Sequence, residues 1–309
     1  MITTVTLNPA FDKMLSVAEI QIGETNRTQN VFTSVGGKGI NVAKVLRDLD
    51  TEVTATGFLG GEVAPIFVEK MKEHGIENRM VPIRECTRTN IQLYDAQGRR
   101  TELLEQGPNT TAEERTALLN EVAQLSAQSS VVAVCGSAPG GVDKPYYREL
   151  LRAAKQSGAS LAVDASGPLL KAALEEHPRF IKPNRSEMLE LMERDEASDG
   201  EMISFAEHLV QSGIEYVLIS MGARGAALLC GDGVWRGAAP NIPVKNTLGC
   251  GDTMVASFCI SLQQDLSPAD MLRNAIALSS ANAMTLEAAH ILPRDYRALL
   301  PHCMVTKIG

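Results

Sequence analysis

The sequence predicts an α/β fold: a mainly parallel central sheet covered by helices on both faces, with a small second β-sheet beside it. Three observations carry this. Short runs of branched apolar residues alternate with stretches of helical periodicity along most of the 309 residues, the pattern of parallel strands joined by helical crossovers. Polar, glycine-containing segments follow several of these runs, and open α/β sheets place their ligands beyond the carboxyl ends of strands. Two segments, 11–34 and 88–105, break the rhythm with short alternating patterns and read as the small sheet.

In order, residues 2–7 read as a buried strand ending at Asn8-Pro9. Residues 38–49 read as a helix, with Ile40, Ala43, Leu46 and Leu49 on one side. A strand over 53–59 closes at Gly60-Gly61, and a helix over 65–74 stops at Gly75. Residues 90–94 and 101–104 suggest a hairpin with Gly98 near its turn. Strands over 131–134 and 160–163 precede helices over 145–156 and 168–174, and Phe180-Ile181 ends another strand. Residues 194–201, with Asp195, Glu196, Asp199 and Glu201, read as a solvated loop. The strand over 216–219 runs into Ser220-Met221-Gly222, a strand is expected ahead of Asn246, and 254–260 is helical. There is no internal repeat and no low-complexity linker, so residues 1–309 are expected to form one domain with a lid from about 11–34 and 88–105.

Composition narrows the function. Hydrophobic residues make up 44% of the chain and aromatics only 4%, enough for a large aliphatic core. A net charge of −8 argues against general nucleic-acid binding. It also means that an anionic substrate needs a local basic pocket. The six cysteines form no Cys-x-x-Cys pair, so no zinc site is expected and reduced thiols in a cytoplasmic protein are. No signal peptide and no membrane span are expected.

The densest chemical signal is Asn246-Thr247-Leu248-Gly249-Cys250-Gly251-Asp252-Thr253. Glycines let backbone N–H groups approach a ligand, and the helix that follows favours an anion at its N-terminus. A carboxylate beside such a site suits proton removal from a hydroxyl attacking phosphorus. Gly36-Gly37-Lys38-Gly39-Ile40-Asn41 opens another helix and suits a polar anionic small molecule. Its spacing is neither a dinucleotide fingerprint nor a Walker loop, and no Gly-x-Ser-x-Gly elbow is present. Asp12 reads as a sugar-hydroxyl acceptor or a turn residue. Arg88 suits bidentate phosphate binding or simple exposure. In Lys182-Pro183-Asn184-Arg185-Ser186-Glu187, Asn184 and Glu187 suit hydrated Mg²⁺ or a helix capping box. Ser220 to Gly225 suits nucleotide contact or a plain turn.

Taken in order, these motifs resemble the ribokinase-like sugar kinases of the phosphofructokinase B type, over nearly the whole chain. Residues 36–43 and 246–253 carry most of the resemblance, with 8–12, 87–90, 136–141 and 182–184 in the family's order. The chain is most similar to the branch holding 1-phosphofructokinase and tagatose-6-phosphate kinase. The resemblance implies a three-layer α/β/α sandwich with a β lid that in many members builds a homodimer. It implies ATP- and Mg²⁺-dependent phosphorylation of a ketohexose monophosphate to a bisphosphate. Fructose 1-phosphate is the expected substrate and tagatose 6-phosphate the alternative. A non-catalytic relative that only binds sugar phosphate is the reading from another class, and an intact Asp252 counts against it. By the same resemblance Asp252 is the base, and the N–H groups of Gly249, Cys250 and Gly251 form the anion hole. Asp12, Gly37, Gly39 and Asn41 hold the sugar, while Lys38 and Arg88, with Arg27 and Ser137, grip its phosphate. Lys182, Asn184, Ser220, Gly222 and Gly225 bind the nucleotide, and Glu187 with Asn184 holds Mg²⁺ through water. Cys250 stands where the family commonly has alanine, a change that an anion hole built from backbone should tolerate.

Overall fold

The computed structural model describes residues 1–309. Eleven strands form the main sheet. From one edge its order is Glu77–Asn78, Val53–Gly60, Ile2–Thr6, Val131–Cys135, Ser160–Asp164, Phe180–Ile181 and Tyr216–Ser220, all parallel. Val81–Ile83 pairs farther along Val53–Gly60. The far edge turns antiparallel through Ala226–Cys230, Gly233–Gly237 and Val305–Lys307.

The central strands are buried almost throughout because both faces are covered, and buried threonines stand among the apolar residues of Ile2–Thr6 and Val53–Gly60. In Val131–Cys135, Val131, Ala133 and Cys135 join one core cluster, while Val132 and Val134 join the other. That is the alternation expected of a strand buried on both sides. The first cluster packs beneath the helices Lys38–Asp48, Ala64–Glu73, Cys250–Gln264 and Pro268–Ala283. The second packs beneath Ala112–Ser126, Lys144–Lys155, Gly167–Leu174, Arg185–Met192 and Asp199–Gln211. The result is the expected three-layer α/β/α sandwich. Phe258 stacks on Phe180 with ring centroids 4.2 Å apart, which fixes the helix Cys250–Gln264 against the sheet.

A four-stranded second sheet runs Asn30–Gly36, Ala10–Ser16, Arg88–Tyr94, Arg100–Leu104. Its central pair is parallel and its flanks antiparallel. The strand registers put Leu15, Val31, Ile91, Leu93 and Leu103 on one face and Asp12 and Asn90 on the other.

Two expectations fail. No strand precedes Asn246. Residues 238–249 carry Pro240 and Pro243, which cannot donate to a ladder, and Lys245 N–H bonds instead to the Ala283 carbonyl. Residues 194–201 are not simply a loop. Ser198 and Glu201 form a capping box that starts the helix Asp199–Gln211. Asp199 is paired with Arg185, Arg224 and Arg236. No helix is long and apolar enough to cross a membrane.

Candidate active site

The helix Cys250–Gln264 begins at Gly249, whose φ of 80° gives it a left-handed cap. A Cβ there would stand 2.5 Å from the Ala289 nitrogen, so the turn is close-packed as well as left-handed. Asp252 sits in the first turn and is only 7% exposed. Its Oδ2 accepts from Asn41 Nδ2 at 2.7 Å. Asn41 projects from the first turn of the helix Lys38–Asp48, which begins at Gly37 with φ of 105°. A Cβ on Gly37 would press on Thr6 and Pro9, so glycine is what lets this helix start directly over the end of the first strand. The structure thus brings the two glycine-rich segments together.

Between them lies a charge cluster. Lys38 Nζ is 3.1 Å from Asp164 Oδ1 and 3.8 Å from Glu187 Oε1. Lys182 Nζ is 3.4 Å from the same Asp164 oxygen. Asp164, at the carboxyl end of Ser160–Asp164 and 1% exposed, is a site residue that the motifs did not single out. Its signal was available: a lone carboxylate closing an apolar strand at the ligand-bearing edge of the sheet. Its second oxygen is buried without a partner.

The electrostatics follow from this packing. Burial, reinforced by Asp164, raises the Asp252 pKa to about 6 against the pull of Lys38, Asn41 and Lys182. Burial works against the charge of Lys38, but Asp164, Asp252 and Glu187 together outweigh it and raise its pKa.

A second group of side chains lies where the small sheet meets the first strand. Asp12 accepts from Asn90 Nδ2 at 2.9 Å, and a Cβ on Gly36 would overlap its carboxylate. Burial raises the Asp12 pKa, opposed by Asn90, Lys44 and Arg88. Arg88 Nη2 donates to the Asn8 carbonyl at 3.1 Å, and its Nε is buried without a partner. Asn8 Nδ2 donates to Ser137 Oγ at 3.2 Å.

On the other side of Gly251 a cavity of about 550 Å³ opens, lined by Ser220, Gly222, Thr247, Cys250, Gly251 and Met254 among others. Gly225 is not in its wall; it packs on the Gly237 backbone. Gly39 likewise faces the Val5 carbonyl and Thr6. Arg27 is exposed and stays outside the assembled groups.

Asn184 and Glu187 form a reciprocal capping box at 2.8 and 2.9 Å. The box occupies Glu187 Oε2 and leaves Oε1 free of hydrogen bonds, with Lys38 its nearest cation. No cluster of three or more metal-ligating side chains is present.

Comparison with known proteins agrees with this architecture. Phosphofructokinase-2 of Escherichia coli, in complex with fructose-6-phosphate, is 26% identical over 97% of this chain and 98% of its own, with a TM-score of 0.89. A Staphylococcus aureus protein provisionally described as a phosphofructokinase is 30% identical over 100% and 99%, with a TM-score of 0.86. A Thermotoga maritima protein provisionally assigned as a 1-phosphofructokinase is 24% identical over 100% and 99%, with a TM-score of 0.88, a likeness of fold. The model for pfkB family carbohydrate kinases matches residues 5–294, and on that match the chain belongs to the pfkB family of carbohydrate kinases.

Proposed function

We propose that this kinase transfers the γ-phosphoryl group of ATP to a ketohexose monophosphate, making a bisphosphate, and that its substrate is fructose 1-phosphate. The observation that carries the reading is Asp252: a buried carboxylate on the first turn of a helix whose glycine N-terminus faces two lysines. In this reading Asp252 takes the proton of the attacking sugar hydroxyl. The new bond forms between that oxygen and the γ-phosphorus, the bond from the γ-phosphorus to the bridging oxygen breaks, and ADP leaves. The N–H groups of Gly249, Cys250 and Gly251 receive the charge on the transferring group.

Lys38, expected from the resemblance to grip the phosphate already on the sugar, shares Asp164 with Lys182, and both lysines are assigned here to the phosphoryl path. Arg88 then takes the phosphate already on the sugar, beside Asn8 and Ser137, and Asp12, Gly37 and Asn41 take sugar hydroxyls. The cavity along Ser220, Gly222 and Cys250 receives the nucleotide. Mg²⁺ bound with ATP neutralises phosphate charge, and Glu187 with Asn184 would hold it through water. The fructose-6-phosphate complex of the Escherichia coli relative supports a ketohexose monophosphate. By resemblance the blocks 87–90 and 245–247 favour fructose 1-phosphate, while 101–108 and 213–216 favour tagatose 6-phosphate. The small sheet serves as the lid, and its apolar face pairs two subunits.

A coupled ADP-release assay with fructose 1-phosphate, tagatose 6-phosphate, fructose 6-phosphate and ribose tests the reading. The highest kcat/KM is expected for fructose 1-phosphate. A preference for another ketohexose phosphate corrects the substrate alone. Binding of sugar phosphate without ADP release from any acceptor makes the protein a non-catalytic binder.

A further inference from the structure

The helix Lys38–Asp48 presents Lys38 and Asn41 at its start, and its far end reaches a different part of the chain. Asp48 Oδ2 accepts from His290 Nδ1 at 2.9 Å and from the Ile291 backbone N–H at 2.8 Å. One turn earlier Lys44, with a side chain only 4% exposed, lies 4.0 Å from Glu287 Oε1. These contacts hold the segment 284–291 that follows the helix Pro268–Ala283. Asn282, fully buried near the end of that helix, grips the same segment from the other side. Its Oδ1 accepts from His290 N at 3.2 Å, and its Nδ2 donates to the Leu248 carbonyl at 2.9 Å and to Cys250 Sγ at 3.3 Å. Between the two grips lies Ala289, with φ of 52°, whose backbone is pressed against Gly249. A residue with a Cβ holds such a conformation only where its surroundings impose it. Neither Asp48 nor Asn282 lines the cavity beside Gly251.

We infer that Asp48 and Asn282 are positioning residues: they clamp the segment 284–291 onto Gly249 and so fix the direction of the N–H groups of Gly249, Cys250 and Gly251. The inference rests on the phosphotransferase reading above for its effect on rate. A turn with two glycines in three residues is soft by itself. Donors to a developing charge are effective only when held in place beforehand. The clamp supplies that stiffness, and it ties the turn to the helix that carries Lys38 and Asn41.

The test compares Asp48→Ala with Asp48→Asn in the full chain, because asparagine keeps an oxygen able to accept both bonds. In Asp48→Ala, amide exchange over residues 249–252 should rise about tenfold or more without any substrate. Its kcat should fall about tenfold, with KM for sugar phosphate and ATP within about twofold. Asp48→Asn should stay near the parent in both. If Asp48→Ala does not fold, His290→Ala removes one arm of the clamp at a half-exposed side chain and should move both readouts in the same direction. A folded Asp48→Ala or His290→Ala with unchanged exchange and kcat overturns the inference, as does an Asp48→Asn as impaired as the alanine variant. A parent protein that phosphorylates no sugar would remove the functional reading instead, and the exchange comparison still decides whether the clamp exists.

Discussion

At the scale of residues the site is a problem in burying charge. In the proposed mechanism Asp252 must be an anion to accept a proton, yet burial and Asp164 push its pKa to about 6. A carboxyl raised in the folded state contributes stability that is complete below its unfolded value, about 3.9, and is lost as pH rises through the folded value. At neutral pH the protein therefore carries a cost for holding Asp252 ionised. Asp252→Asn should be more stable than the parent at pH 7.5 by about 1–3 kcal/mol. The gain should vanish below about pH 4. Thermal melts of both proteins across that range check it, and equal melting temperatures at pH 7.5 would mean that Asp252 is not held as described.

Arg88 offers a second residue test. It gives one hydrogen bond to the Asn8 carbonyl and keeps its Nε unpartnered, so donor capacity remains for a ligand. Loss of a charge-assisted bond is worth roughly 1.5–3 kcal/mol. Arg88→Ala should therefore raise KM for the sugar phosphate about tenfold or more and leave KM for ATP nearly unchanged. Steady-state kinetics with each substrate varied separately would expose the opposite pattern.

The residues that the sequence disclosed here were those in local runs: Gly249 to Asp252, Gly37 to Asn41, Asn184 with Glu187. Asp164 belongs to no local run: its one signal is its place at the end of an apolar strand, and its partners Lys38 and Lys182 meet it only across strand ends. The same reason hid Asp199, whose three arginines come from positions 185, 224 and 236.

At the scale of elements the active turn is a helix start that requires glycine. Gly249→Ala would force a Cβ into a left-handed conformation and against the Ala289 backbone. The two effects together should cost about 2–4 kcal/mol, read as a lower urea midpoint with an unchanged slope. Cys250→Ala tests the complementary point. If the anion hole uses only backbone, turnover should stay within about threefold of the parent; a loss of a hundredfold would give the thiol a role of its own. Helices such as Lys38–Asp48 and Lys144–Lys155 and most parallel strands were legible because period 3.6 and apolar runs are local properties, whereas the helices Ala112–Ser126 and Pro268–Ala283 went unread. Before Asn246, Ile242 and Val244 suggest a strand, but Pro240 and Pro243 cannot donate to a ladder and none forms. The capping box at Ser198 was overlooked because the acidic residues around it suggest solvent.

At the scale of the whole molecule the small sheet is unfinished. Leu15, Val31, Ile91, Leu93 and Leu103 share a face opposite Asp12, and Val31 and Leu103 are 56% and 54% exposed. An apolar sheet face of this kind calls for a cover, and in the proposed dimer a second copy of the same sheet would provide it. Light scattering at low micromolar concentration should report a dimer, and Val31→Glu with Leu103→Glu should report a monomer. A fully active monomeric parent would remove the paired lid and leave the chemistry intact. Exposed Arg27, on the segment between Ala10–Ser16 and Asn30–Gly36, would in such a dimer gain neighbours that the single chain does not give it.

One carboxylate carries the proposed chemistry, and turnover of Asp252→Asn tests it most directly. With saturating ATP and fructose 1-phosphate, kcat should fall about a hundredfold or more, the scale of a positioned general base, while ATP binding measured by calorimetry persists. Turnover close to that of the parent under those conditions would contradict the assignment of Asp252 as the base.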